Sequence, residues 1–180
     1  MNQLCEISQH RASWIPAAHS HALAQIESPH DRNCNRDRNR NRNATTLQDA
    51  RALMNLLDAY SGIGGVISGD VLVALLRGCV EQPISVVARW ITQREILSFQ
   101  WGSQHLLPVF QFDMASLRVR AGVPSVMAEL RDAFDDMELA EWFARPNSWL
   151  QGGTPARRFE DDLSGVLQAA RADRFIALGT

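Results

Sequence analysis

The chain contains no lysine: all 18 of its basic side chains are arginine, set against 20 acids and a formal net charge of −2. Such a balance gives no general attraction to nucleic acid or to anionic lipid. The missing lysine fits the codon usage of a GC-rich genome, and arginine adds a capacity for bidentate ion pairs. Cysteine is scarce and odd in number, at Cys5, Cys34 and Cys79. That irregular spacing argues against a disulfide framework. No apolar run approaches the roughly 20 residues of a membrane helix. No basic segment followed by an apolar one opens the chain, so a cytoplasmic protein without a membrane span is expected.

Chemistry-bearing groups are equally sparse. After residue 30 the only histidine is His105. No serine or cysteine sits in a nucleophile-elbow context, and the glycines of residues 62–69 lack a phosphate-loop lysine. Most of the acids between Glu129 and Asp162 fall at helix starts or at i,i+3 and i,i+4 spacing to arginine, where they serve helices rather than acid–base work. No catalytic residue, cofactor or metal is therefore expected. Cys5, His10, His19, His21, His30 and Cys34 match no compact ligand spacing.

At 180 residues and 46% hydrophobic content, the chain can hold one domain or two small ones. Composition divides it into three parts. Residues 1–46 centre on DRNCNRDRNRNRN at 31–43, with five arginines and two aspartates. Nothing apolar but Cys34 is available there to offset the entropy of ordering, so a disordered, low-complexity leader is expected. Such a tract either grips RNA or DNA or is the product of a slipped DNA repeat or a misassigned start codon.

Residues 47–112 read as three helices and a hairpin. Thr45 or Thr46 can cap a first helix with Leu47, Leu53, Met54, Leu57 and Tyr60 at helical spacing, ended by the glycines after Ser61. A second helix follows Ser68 with Val71, Leu72, Leu75 and Leu76. A third spans about 85–94, with Val86, Val87, Trp90 and Ile91 on its apolar side. Residues 96–101 and 106–110 then flank the turn candidate Gly102-Ser103-Gln104. This is the outline of a winged helix-turn-helix. A DNA-reading third helix would present Arg89, Gln93 and Arg94 to a major groove, with Thr92 beside them. Against operator DNA as a partner, this stretch holds four arginines and five acids, and Glu81 lies where an apolar turn residue is expected. A scaffold without DNA contact is the alternative.

Residues 113–180 read as mainly helical. Pro124 starts a helix with Val126, Met127, Leu130 and Phe134 at core spacing. Asp135 and Asp136 can cap the next, over 137–144. Then comes LAEWFARPNSWLQGGTPARRF, residues 139–159: a helix end at Arg145-Pro146-Asn147 and a bend through Trp149, Leu150 and Gly152-Gly153. Thr154 is the candidate N-cap and Pro155 the first residue of another helix. A last helix over 163–174 turns Leu163, Val166, Leu167 and Ala170 inward. The apolar end from Phe175 to Leu178 either folds back onto the core or docks into a partner, since each buried Phe or Leu is worth roughly 1.5–3 kcal/mol.

The order Trp142, Pro146-Asn147, Leu150, Gly152, Pro155, then Val166-Leu167-Gln168-Ala169-Ala170, resembles the Xre/MbcA/ParS antitoxin family. The run Leu107–Asp113 and Gly122-Val123-Pro124 also resembles the lead into that family's toxin-binding C-terminal module. The resemblance covers about residues 108–178. It implies a partner, a RES-domain toxin that destroys the cell's nicotinamide dinucleotide, whose active-site pocket the antitoxin's C-terminal region blocks. Carried onto this chain, Trp142, Pro146, Asn147, Leu150, Gly152 and Pro155 shape the toxin-binding corner. Arg171, Arg174 and Phe175 are placed to reach the toxin. The resemblance further implies promoter autoregulation and a homodimer, for which the apolar hairpin is a candidate contact. The expected fold class is mainly α: a helical N-terminal domain with a β-hairpin, followed by a small helical C-terminal module.

Overall fold

The structure, a computed structural model, describes residues 47–179; the expected leader of residues 1–46 lies outside the described residues. The described chain is mainly helical with a small antiparallel sheet. Helix α1 covers 47–61 and ends where Gly64 and Gly65 take positive φ, a conformation glycine adopts without steric cost. Strand β1 (Val66–Ser68) follows directly. Ser68 closes the strand and opens α2 (Gly69–Leu76), its hydroxyl accepting from the Val71 amide. Helix α3 (Pro83–Thr92) begins on proline, whose absent N–H costs nothing in a first turn.

Strands β2 (Phe99–Trp101) and β3 (Gln104–Pro108) form a hairpin across a two-residue turn. Gly102 has φ +60°, which a first central turn residue of the hairpin type demands. Strand β3 lies in the centre of the sheet, with β1 on its other side, Val66 opposite Pro108 and Ser68 opposite Leu106. A short 3-10 turn (Val109–Gln111) leads into β4 (Phe112–Asp113), which pairs with β5 (Arg118–Val119). Four helices complete the chain: α4 (Val123–Leu130), α5 (Asp136–Ala144), the single turn α6 (Pro155–Arg158) and α7 (Leu163–Leu178).

Two apolar clusters hold these elements. The larger joins Leu56 and Tyr60 of α1 and Phe99 of β2 to Phe110, Met127, Leu139, Phe143 and Val166. The smaller lies under α2 and α3 and contains Leu72, Leu76, Val87, Ile96, Leu107 and Phe112. The described residues fall within one compact unit, and the boundary read at residue 112 from composition falls inside β4. Tyr60 is fully buried and its hydroxyl donates to the Ala140 carbonyl at 2.7 Å. Burial pushes its phenol far above the usual range. Gln111, also fully buried, uses its amide as a strand would. Its Oε1 accepts from the Leu97 amide, and its Nε2 donates to the Leu97 and Pro108 carbonyls. A buried amide left unbonded here would cost about 1–3 kcal/mol.

Several expectations need correction. In α1 the buried face runs through Leu56 and Tyr60, while Leu47 and Met54 are exposed. In α2 the core takes Leu72 and Leu76 and leaves Val71 and Leu75 outside. Tertiary packing thus selects part of each apolar stripe. Strand β1 and the β4–β5 pair are additions to the helices-plus-hairpin outline. The last helix runs on to Leu178, and the chain end does not fold back: Phe175, Ile176 and Leu178 are 65%, 67% and 44% exposed.

Candidate functional site

The bend between α5 and α6 is built from local capping signals. Asp135 and Glu138 start α5 with a reciprocal capping box, each side chain accepting from the other's amide at 2.8 Å. Helix α5 stops before Pro146. Asn147 then takes over: its Oδ1 accepts from the Trp149 amide, and its carbonyl accepts from the Leu150 and Gly152 amides. Its own amide donates to the Gly153 carbonyl at 3.0 Å. Gln151 and Gly152 turn the chain with φ +56° and +80°. Thr154 caps α6, accepting from the Arg157 amide, with Pro155 at the first position as the sequence indicates.

Asp173 of α7 closes this corner. Its Oδ2 accepts from Trp142 Nε1 at 2.8 Å and from Asn147 Nδ2 at 2.7 Å, and its Oδ1 accepts from Trp149 Nε1 at 3.1 Å. One carboxylate thus fixes two indoles and the turn amide against the last helix. Trp142 also packs edge-on against Phe143, ring centroids 4.9 Å apart. Leu150 and Pro155 are buried and Asn147 nearly so, so they shape the corner from inside. Pro146 and Gly152 are exposed on its rim. Trp149 stands outward, 58% exposed, with its orientation set by Asp173 and by the Asn147 cap. Ile176 lies one helical turn beyond Asp173, on the same face of α7.

On the adjoining face of α7, Arg171 Nε and Arg174 Nη1 each donate to Glu129 of α4 at 2.9 Å, one to each carboxylate oxygen. The Arg171 hydrogen bond, followed by that of Arg174, holds the Glu129 carboxyl below its ordinary range. These arginines and Phe175 border a shallow surface hollow of about 200 Å³ with Leu178. The arginines are thereby oriented by α4 while their outer edges stay in water.

The three residues expected to read DNA are not brought together. Arg89 and Gln93 are exposed on and just beyond α3. Arg94 turns away from them. It adopts φ +50° at the end of α3 and donates through Nη1 to the Arg131 carbonyl. Its Nη2 donates to the Phe134 carbonyl at 2.9 Å and lies 2.8 Å from Asp136. Arg94 ties α3 to the α4–α5 turn. Its two terminal nitrogens are engaged by backbone carbonyls and an acid, while its Nε is buried without a partner among the described residues.

Asp173, Glu129, Trp149, Ile176 and Leu178 are absent from the site expected on sequence grounds. One signal for Asp173 is present in the sequence: a carboxylate in the last turns of a helix opposes the macrodipole, which calls for a compensating set of donors. Among the described residues no group of three histidine, cysteine or acidic side chains is placed to hold a metal, and no helix is long and apolar enough to cross a membrane. No family model, curated protein or solved structure matches the chain.

Proposed function

We propose that the chain is an antitoxin-like binding protein whose corner and α7 end cover a RES-domain toxin and block its active-site pocket. The observation that carries this is the pairing of a rigid corner with an unpartnered apolar helix end. Asp173 holds Trp149, and Phe175, Ile176 and Leu178 of the same helix stand in water. Rigid aromatic anchors bind at low entropic cost, and several exposed apolar side chains at one helix end favour an interaction surface. Binding through it would supply the burial that the isolated chain leaves undone. Pro146, Gly152, Arg171, Arg174 and Phe175 are the contacts carried over from the family resemblance; Trp149, Ile176 and Leu178 join them.

The test is neutralisation. Co-expression of the chain with a RES-domain toxin should preserve growth and the cellular nicotinamide dinucleotide pool. Removal of residues 175–180, or Trp149→Ala, should abolish the protection while the protein stays folded by circular dichroism. Undiminished protection by both variants would sink the assignment.

DNA binding, with or without autoregulation, is favoured by a separate observation. The order α1, β1, α2, α3, β2, β3, with the sheet arranged β1-β3-β2, is the one expected of a winged helix-turn-helix. Arg89 and Gln93 would be its base-reading residues. A gel shift on the upstream region of its own operon, abolished by Arg89→Ala, would support this role; retention unaffected by that change would remove it.

A further inference from the structure

A hollow of about 520 Å³ lies between the β4–β5 pair and the segment joining α6 to α7, and neither reading above uses it. A volume of that order admits a small organic molecule. Val119, Phe159 and Leu163 give it an apolar wall, and Arg118, Arg120 and Glu160 line it as well. Arg118 and Arg120 are two apart where β5 ends, the spacing that puts side chains on one face of an extended segment. Both guanidinium groups therefore border the same space.

The wall is held from behind. Arg120 is half-buried, its amide donating to the Gln111 carbonyl at 2.9 Å and its Nε to the Phe112 carbonyl at 3.1 Å. Those bonds orient the guanidinium, whose Nη1 forms an ion pair with Glu160. Gly122, at φ +95°, lies so close to Leu163 that a side chain there would collide with it, which fixes the loop against the start of α7.

Arg118, by contrast, is left without its cross-strand partner. It stands opposite Asp113 in the register of β4 and β5, where an acid ordinarily neutralises a cation. Asp113 is engaged elsewhere: its Oδ1 accepts from the Ala115 amide at 3.0 Å and its Oδ2 from the Ser116 hydroxyl at 2.7 Å. Arg118 is exposed and forms no ion pair among the described residues. Glu160 is 61% exposed, and an ion pair so open to water contributes little. An incoming oxyanion can take the place of Glu160 at Arg120 and gain Arg118 at the same time.

We propose that this hollow binds a small organic anion, a phosphate monoester with an apolar body. The phosphate bridges Arg118 and Arg120 and displaces Glu160. Its three terminal oxygens can serve two guanidinium forks together, which the two oxygens of a carboxylate do less well. The body lies against Val119 and Leu163.

Phenyl phosphate is the probe, titrated near neutral pH into the isotope-labelled full chain and followed by amide chemical shifts. The shifts of residues 118–121 and 160–163 should saturate together, with a dissociation constant of about 1 mM or below. Arg118→Ala should weaken binding about tenfold, and Glu160→Gln should tighten it about threefold by removing the competitor. Arg77→Ala and Glu81→Gln make the same changes of net charge away from the hollow and should each leave the affinity within about twofold. All four positions are exposed, so the variants should fold as the wild type does. Inorganic phosphate should bind about tenfold more weakly, because it leaves the apolar wall uncovered. No saturable shift up to about 20 mM phenyl phosphate, or a loss shared equally by Arg118→Ala and Arg77→Ala, would overturn the proposal. So would benzoate or inorganic phosphate binding as tightly as phenyl phosphate.

Discussion

Replacing Asp173 with alanine removes the acceptor for three donors at once: the Trp142 and Trp149 indoles and the Asn147 amide. The cost is unequal among them. Trp149 is 58% exposed, so water partly replaces the carboxylate and its bond contributes least of the three to folding stability. Asn147 is almost fully buried and Trp142 half-buried, and each would keep an N–H with no protein acceptor. A buried donor left unpaired costs about 1–3 kcal/mol. Regained solvation is small because Asp173 is itself only half-buried. The sum is about 2–4 kcal/mol, a large share of the stability of a domain this size. Urea denaturation followed by tryptophan fluorescence reads it directly, as a lower midpoint at unchanged slope. Asp173→Asn should fall between the two, because the amide offers one acceptor oxygen and turns its own N–H₂ toward a donor. A double-mutant cycle between Asp173→Ala and Trp142→Phe should return a coupling of about 1 kcal/mol or more. An Asp173→Ala midpoint within about 0.5 kcal/mol of wild type, or strict additivity in the cycle, would refute the pinning role.

Three further outcomes are expected. Tyr60→Phe should cost about 1 kcal/mol in the same urea assay, because it deletes one buried hydrogen bond to Ala140 and keeps the ring in place. The Glu129 carboxyl sits below its ordinary range in the folded state, so its stabilisation is present above the unfolded value near 4.3 and disappears as pH falls through the folded one. Glu129→Gln should therefore lower stability near neutrality and flatten the acid limb of the stability profile; parallel acid limbs would exclude the ion pairs with Arg171 and Arg174. Arg94→Ala should destabilise by about 2 kcal/mol through the lost bonds to the Arg131 and Phe134 carbonyls. Arg94→Gly should recover about 1 kcal/mol of that, since glycine accepts the φ of +50° without steric cost; equal melting temperatures for the two would contradict the backbone argument.

Much of the corner is legible in the sequence. Trp142, Pro146, Asn147, Thr154 and Pro155 announce a helix end, a tight bend and a new start, and each acts within a few residues of itself. What the corner leans on is not legible there. Asp173 is 24 to 31 residues from the indoles that it binds. Its place against the macrodipole near a helix end marks it, but no local rule names the donors that it binds. Arg94 shows the opposite failure. Its place at the end of an amphipathic helix suggests a free cation, and only the chain 37 to 42 residues downstream reveals that both terminal nitrogens are engaged.

The sequence by itself determined where several helices begin, through caps at Ser68, Asp135 and Thr154 and a proline at the first position of α6. Each is a hydrogen bond or a dihedral preference settled among near neighbours. The third helix, however, starts at Pro83 and the last runs on to Leu178, outside the bounds read from the sequence. Tertiary structure alone decided which half of each apolar stripe is buried, that β1 pairs with β3 about 40 residues away, and that the final helix ends in water. Those outcomes depend on which surfaces compete for a shared core, a contest between distant segments in which no single segment carries the result.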